Sequence, residues 1–274
     1  MARPASRSQP AAIGVFDSGV GGLTVVREIM RQLPAEKVVY FGDTARFPYG
    51  NKARETLIRF SLENARFLSR ENIKLLVVAC NSASAYVLPS LRYALRIPVV
   101  GVIEPGARAA HQVTRNRKVG VIGTVATIES GSYQHTLLGL DPSLKIAAKA
   151  CPLFVPLVEE GWLGHKVTHD VARTYLAAFK GQGIDTLLLG CTHYPLLREV
   201  IQKAMGRKVR LVDSAFEAAR QVKVLLEEQG LAEHGPALAM SRHRFFVSDV
   251  PEKFVAVAKR FLGPRLPPVA QAGP

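Results

Sequence analysis

Cysteine, tryptophan and acidic residues are all scarce in this chain of 274 residues, which holds three, one and 22 of them respectively. Each scarcity excludes something. An odd and small set of cysteines cannot build a dense disulfide framework, and it fits a reducing compartment. Long apolar runs are missing too: the longest fall well short of the roughly 18 residues that a membrane helix needs. The opening "MARPASRSQPAA" carries basic residues without the apolar stretch of a secretory signal. The expectation is a soluble, cytoplasmic protein with no membrane partner. No lysine stands in a recognisable pyridoxal phosphate setting, and no His, Asp or Glu cluster has metal-ligand spacing. No cofactor and no metal are therefore expected.

The shortage of acidic residues against 36 Lys and Arg leaves a net charge of +14. Such a balance raises the question of nucleic acid. The basic residues are dispersed, however. The densest groups are "TRNRK" at 114–118 and "RHR" at 242–244, and neither is interleaved with stacking aromatics. Nucleic acid is not expected as the main partner; a positive field favouring a small anionic substrate is at least as economical.

What the chain does have is apolar content, 48% of its residues, enough for one large or two ordinary cores. Short apolar runs alternate with amphipathic helical patterns: "AAIGVFDS", "GLTVVREIMRQL", "KVVYFGD", "ARETLIRFSLENARFLSREN", "IKLLVVACN". This β-α-β-α-β order is the signature of a parallel sheet covered by helices. It continues through "PVVGVIE", "KVGVIGT", "LKIAAKAC", "DTLLLGCTH", "VRLVDSA" and "HRFFVSD". The fold class is α/β. Because "IGVFDSGVGG" and "VGVIGTVATIES" each open a segment that later reaches a strand ending in cysteine, two similar α/β domains with mainly parallel sheets are expected. Strand counts put the boundaries near residues 100 and 210. Residues 1–100 with 211–274 would form one domain, with 1–11 a flexible tail, and 101–210 the other. A cleft between the C-terminal ends of both sheets is where ligands bind in such folds.

Two of the three cysteines end equivalent strands, Cys80 in "VVACNSASA" and Cys191 in "LLLGCTHYP". Their wide separation rules out a local metal knuckle, so any partnership is made by the fold. Asn81 and Ser82 follow the first, Thr192 and His193 the second, and all four can hold polar atoms of an amino acid. A strand end leading into a helix start is also expected to lower a thiol's pKa. Cys151, in "KACPLFVPL", lacks such neighbours and reads as structural. His193 alone would be an ordinary structural histidine; beside a thiol it becomes a proton-relay candidate.

"FDSGVGGLTVV" at 16–26 is a glycine-rich strand-to-helix turn able to bind a carboxylate or phosphate. Asp43, ending the next strand, imitates the acidic residue of a dinucleotide fingerprint. The spacing argues otherwise: Gly19, Gly21 and Gly22 make G-x-G-G, with Thr24 where a third glycine belongs. Asp17 and Ser18 occupy the strand tip, where a cofactor turn has no use for a carboxylate. "FPYGNK" at 47–52 is either a plain loop or one bringing Tyr49 and the Gly50 amide to a ligand, and Glu159 in "PLVEEG" is a further acidic candidate. Two thiols facing one small molecule suit removal of a proton from one face of a carbon and its return to the other, which is stereoinversion. The alternatives from other classes are a nicotinamide-dependent oxidoreductase and a catalytically inactive binding protein.

The ordered motifs "FDSGVGGLTV", "FGDTARFPYG", "VACNSAS", "GTVATIESGSY" and "GCTHYP" resemble those of the glutamate racemases, over about residues 12 to 265. The resemblance implies paired α/β domains with the active site between them, cofactor-independent interconversion of L- and D-glutamate for peptidoglycan, and a homodimer. It also implies that Cys80 and Cys191 are the acid/base pair, Cys80 serving the D-enantiomer with Asp17 and Cys191 the L-enantiomer with His193. The substrate-binding positions it implies are Asp17, Ser18, Tyr49, Gly50, Asn81, Ser82, Thr192 and His193, with Asp43 and Glu159 of lower rank. One departure is Ser82, where the family usually carries threonine. His193 favours glutamate over another acidic amino acid such as aspartate, whose racemases tend to carry an acidic residue there.

Overall fold

Each apolar run named above is a strand in the computed structural model, which describes residues 11–273. The flexible tail expected over residues 1–11 lies, Ala11 apart, outside the described residues. The strands are β1 (Ala12–Asp17), β2 (Val38–Gly42), β3 (Ile73–Val78), β4 (Val99–Gly101), β5 (Lys118–Gly123), β6 (Lys145–Ala150), β7 (Thr186–Gly190), β8 (Arg210–Asp213) and β9 (Arg244–Val247). A short β10 (Val269–Gln271), with no apolar run to announce it, completes the set among the described residues.

Two parallel sheets result. The first has the order β10-β9-β2-β1-β3-β4 and the second β6-β5-β7-β8. Strands β1, β2 and β7 are buried along their whole length, because helices cover both sheet faces; that is why they read as continuous apolar runs rather than alternating ones. Strand β6 is the exception. It lies at a sheet edge, is largely exposed, and carries Lys145 and Lys149, charges that discourage pairing with another chain.

The helices are amphipathic at the period the sequence shows. Helix Leu23–Gln32 buries Leu23, Val25, Val26 and Ile29 and keeps Arg27 and Arg31 outward. It packs against helix Ser214–Glu228, which follows β8 and so ties the second sheet back to the first. One apolar cluster runs through both halves, joining Ile13 and Val15 of β1 to Leu187 and Leu189 of β7. Truncating one such side chain, as in Leu189→Ala, costs about 2–5 kcal/mol through lost burial and the cavity left behind.

The strand orders place the site. In the first sheet β1 is followed by β2 on one side and neighboured by β3 on the other; in the second, β6 and β7 flank β5 in the same way. Each is a point where the chain reverses its direction of winding, and the crevice outside such a point is open because successive connections leave to opposite faces. Cys80 follows β3 and Cys191 follows β7. Both thiols therefore stand at equivalent switch points.

Candidate active site

A cavity of about 310 Å³ lies between the two switch points, lined from the first half by Ser18, Cys80, Asn81 and Ser82 and from the second by Cys191, Thr192 and His193. Its size suits a small molecule. Tyr49 and Gly50 from the loop after β2, and Glu159 from helix Phe154–Glu159, complete the expected residues on its wall.

Around Cys80 the neighbours are hydroxyls and a carboxylate. The thiol is buried, 6% exposed, and donates to Ser18 Oγ at 3.8 Å. Asp17, at the tip of β1, is fully buried behind the lining. Its Oδ2 accepts from the Gly19 amide at 3.0 Å, and its Oδ1 has no hydrogen-bond partner among the described residues. Burial raises the Asp17 carboxyl above its ordinary pKa, against the pull of His193 and the amides of Gly19, Gly22 and Ser18. Ser82 Oγ lies 2.8 Å from Thr124 Oγ1 and 3.3 Å from Thr127 Oγ1, so the two halves meet through hydroxyls.

Around Cys191 the neighbours are an imidazole and its carboxylate. His193 Nε2 is 3.0 Å from Glu159 Oε1 and its Nδ1 is 3.4 Å from Thr192 Oγ1. The glycine-rich turn explains itself here. A Cβ on Gly21 would stand 2.3 Å from Thr192 Oγ1 and 2.4 Å from His193 Cε1, and one on Gly22 would stand 2.4 Å from Asp17 Cβ. The glycines let this turn press against the site from the first half; Thr24 Oγ1 then donates to the Thr192 carbonyl at 3.0 Å.

The thiols correct one expectation. Burial pushes Cys80 up to about 12, with the Asp17 charge adding to it, and the amides of Ala83 and Ser82 and the Ser18 hydroxyl only moderate the rise. Cys191 is raised further by the same cause, opposed by the His193 amide and helped by the charges of Cys80 and Asp17. The helix-start amides act in the expected direction, but desolvation of two buried sulfurs outweighs them. Both rest as thiols when the cavity holds no charge of opposite sign. Cys151 is likewise pushed up to about 12 by burial and donates to the Lys149 carbonyl at 3.7 Å, away from the cavity.

Of the expected residues, Asp43 stays off the cavity wall, and Tyr49 reaches that wall with its hydroxyl bound elsewhere. Asp43 is buried outside the lining, where its Oδ2 accepts from Arg46 Nε at 2.7 Å and from the Tyr49 hydroxyl, and its Oδ1 accepts from Ser248 Oγ at 3.0 Å. It pins the loop that closes the cavity. Tyr49 consequently turns its hydroxyl away, toward Asp43 and Asn64. Sequence reasoning missed Thr124, which lines the cavity at the end of β5 and caps the next helix by accepting from the Thr127 amide. Its signal was positional: a hydroxyl directly after the strand that neighbours the Cys191 strand. The apolar wall of Phe47, Pro48, Val125, Val155 and Pro156 had no comparable signal.

Comparison with known proteins gives the family of this chain. The sequence profile of the Asp/Glu/Hydantoin racemase family matches residues 13–222. The chain belongs to this family. Among relatives, it is 55% identical to the glutamate racemase of Geobacter metallireducens, over 95% of this chain and 96% of that protein. Its fold is similar to the crystal structure of glutamate racemase isoform RacE1 from Bacillus anthracis, with a TM-score of 0.92 and 43% identity, covering 96% of this chain and 97% of that one. It is also similar to the glutamate racemase of Francisella tularensis in complex with D-glutamate, with a TM-score of 0.88, 37% identity and the same coverage of both chains. Among the described residues no three His, Cys, Asp or Glu side chains gather as metal ligands, and no helix is long and apolar enough to cross a membrane.

Proposed function

We propose that this protein interconverts L- and D-glutamate by two-base proton transfer, with Cys80 and Cys191 as the acid/base pair and no cofactor. The observation that carries the reading is that the two thiols come from equivalent switch points of two sheets and line one cavity. A single nucleophile would need only one of them.

Removing a proton from an α-carbon next to a carboxylate is difficult, because the carbanion puts further negative charge beside one already there. Three features of the cavity oppose that cost. Donors from Asn81, Ser82, Thr124 and Thr192 surround the place for the carboxylate, and they are fixed before the charge develops. The apolar wall and the loop pinned by Asp43 exclude water, which strengthens those interactions. The amino acid brings its own ammonium group, whose positive charge favours one thiolate against the burial that otherwise keeps both sulfurs protonated, the thiol's proton passing to the Asp17 carboxylate on the Cys80 side or to the His193 imidazole on the Cys191 side. The first thiolate takes the proton, the second thiol returns one to the opposite face, and the roles exchange with direction. Cys80 acts on the D-enantiomer assisted by Asp17, and Cys191 on the L-enantiomer assisted by His193 with Glu159 behind it.

The same reading makes residues 1–100 with 211–274 one domain and 101–210 the other; the sheet orders fit it except at β8 (Arg210–Asp213), which lies past the second boundary and pairs with β7 in the second sheet. It assigns the product to peptidoglycan synthesis in the cytoplasm and the protein to a homodimer, both on the family resemblance; sedimentation tests the dimer. The decisive assay is D-glutamate formation from L-glutamate with no cofactor added, coupled to α-deuterium uptake from solvent and chiral analysis. Racemisation of aspartate in preference to glutamate would shift the substrate, and no exchange with either amino acid would sink the reading.

A further inference from the structure

The motif "GTVATIESGSY" ends on Tyr133, a residue with no part in the mechanism above. It is fully buried, in helix Ser132–Leu140 of the second half. Its ring is held between two glycines: a Cβ on Gly190, the residue before Cys191, would stand 2.8 Å from Tyr133 Cε2, and one on Gly106 would stand 3.4 Å from its hydroxyl oxygen. The ring thus passes beneath the end of β7 and reaches the other half of the molecule. There its hydroxyl donates to Asn81 Oδ1 at 2.6 Å.

Asn81 directly follows Cys80 and lines the cavity at 2% exposure. Its Nδ2 is buried with no hydrogen-bond partner among the described residues. An unpaired buried amide donor is costly, and it survives where a ligand completes it. A carboxamide is nearly symmetric in shape and opposite in polarity at its two ends. Turned one way it offers a donor to an anionic carboxylate; turned the other, it offers an oxygen that repels one. A phenol can donate or accept; here Tyr133 donates to the carboxamide oxygen, which is the first arrangement and leaves the NH₂ end unpaired among the described residues. We infer that Tyr133 is the positioning residue that holds the Asn81 carboxamide with its NH₂ toward the substrate carboxylate, a bond made from one half of the molecule to the other. Burial raises the Tyr133 phenol well above its ordinary pKa, so it keeps its proton throughout the working range.

This inference rests on the glutamate reading above. The test is a double-mutant cycle of Tyr133→Phe and Asn81→Ala, read as kcat/KM and as the dissociation constant of D-glutamate by calorimetry. Phenylalanine keeps the ring between its glycines and removes only the oxygen. Tyr133→Phe alone should lower kcat/KM about tenfold, mainly through a higher KM, with the pH profile unmoved. In the Asn81→Ala background the same change should alter kcat/KM and affinity by less than about twofold, because the group to be oriented is gone. An equal loss in both backgrounds would make Tyr133 a packing residue and overturn the inference, as would unchanged kinetics of Tyr133→Phe. Absence of α-deuterium exchange in the unmodified protein would instead overturn the glutamate reading, and this inference with it.

Discussion

The two thiols stand at equivalent ends of equivalent strands, yet their surroundings differ in kind. Cys80 sits among Ser18, the buried Asp17 carboxyl and the Ser82–Thr124–Thr127 hydroxyls. Cys191 sits beside Thr192 and an imidazole that is itself held by Glu159. One side offers a buried carboxyl and the other a histidine with a partner. The comparison teaches that topological equivalence supplies position and leaves the chemistry of each side to local side chains. A pair of bases working on mirror-image substrates needs matched positions, since the enantiomers differ only in which face carries the proton. It does not need matched helpers.

The strongest way to break the comparison is to delete each thiol. Cys80→Ala and Cys191→Ala should each lower racemisation by about 10³-fold or more, because neither leaves an acid and a base on opposite faces. Chiral product analysis in deuterated solvent checks this, and near wild-type turnover by either variant would remove the two-base assignment. Serine variants sharpen it: Cys80→Ser should still eliminate a leaving group from the side chain of an L-configured analogue, and Cys191→Ser from the D-configured one. Equal enantiomer preference in the two would show that the sides are not distinct.

A smaller effect is expected from the helpers. Asp17→Asn should lower kcat/KM about 10²-fold and Glu159→Gln only about tenfold, since glutamine can still hold His193 Nε2 while asparagine removes the buried charge. Enantiomers have equal free energies, so each variant must lose the same kcat/KM in both directions; unequal loss would mean inactivation or a side reaction. Reversal of the order, with Glu159→Gln the worse, would make the imidazole side the more demanding one.

Smaller still are the hydroxyls. Ser82→Thr should be tolerated, while Ser82→Ala should cost about 1–3 kcal/mol of substrate holding by removing a hydroxyl that would meet a buried polar group of the substrate. Identical kinetics of the two variants would place Ser82 outside the substrate's reach.

The smallest effect concerns stability. Cys80 is raised from 9.0 to about 12 in the folded chain, so the folded state holds its proton more tightly than the unfolded state. Its contribution is fully present below pH 9.0, and it is lost as pH rises toward about 12. Thermal melts across this window should show declining stability, and Cys80→Ala should flatten its share of the decline. A steeper decline in the variant would reverse the sign assigned to burial.

Much of this molecule is legible in its chain alone. Continuous apolar runs such as "IKLLVVA" and "DTLLLG" mark strands buried on both faces, and a cysteine directly after each marks the loop end where such sheets bind ligands. Residue type and strand position together are enough to name Ser18, Cys80, Asn81, Ser82, Cys191, Thr192 and His193, all of which line one cavity. Periodicity and strand ends are properties of a short stretch, so a short stretch reveals them.

Tertiary structure decided what depends on distant segments meeting. That Asp43 pins a loop instead of facing a ligand follows from Arg46, Tyr49 and Ser248 converging on it. The resting protonation of the thiols reverses the local expectation, because desolvation is set by everything packed around a sulfur whereas the helix-start amides are set by its neighbours in the chain. The pairing of Tyr133 with Asn81 spans 52 residues and two halves of the molecule. Sequence determines which groups a strand end presents; only the packing of one sheet against another determines which of them share a cavity, and in which protonation state they wait.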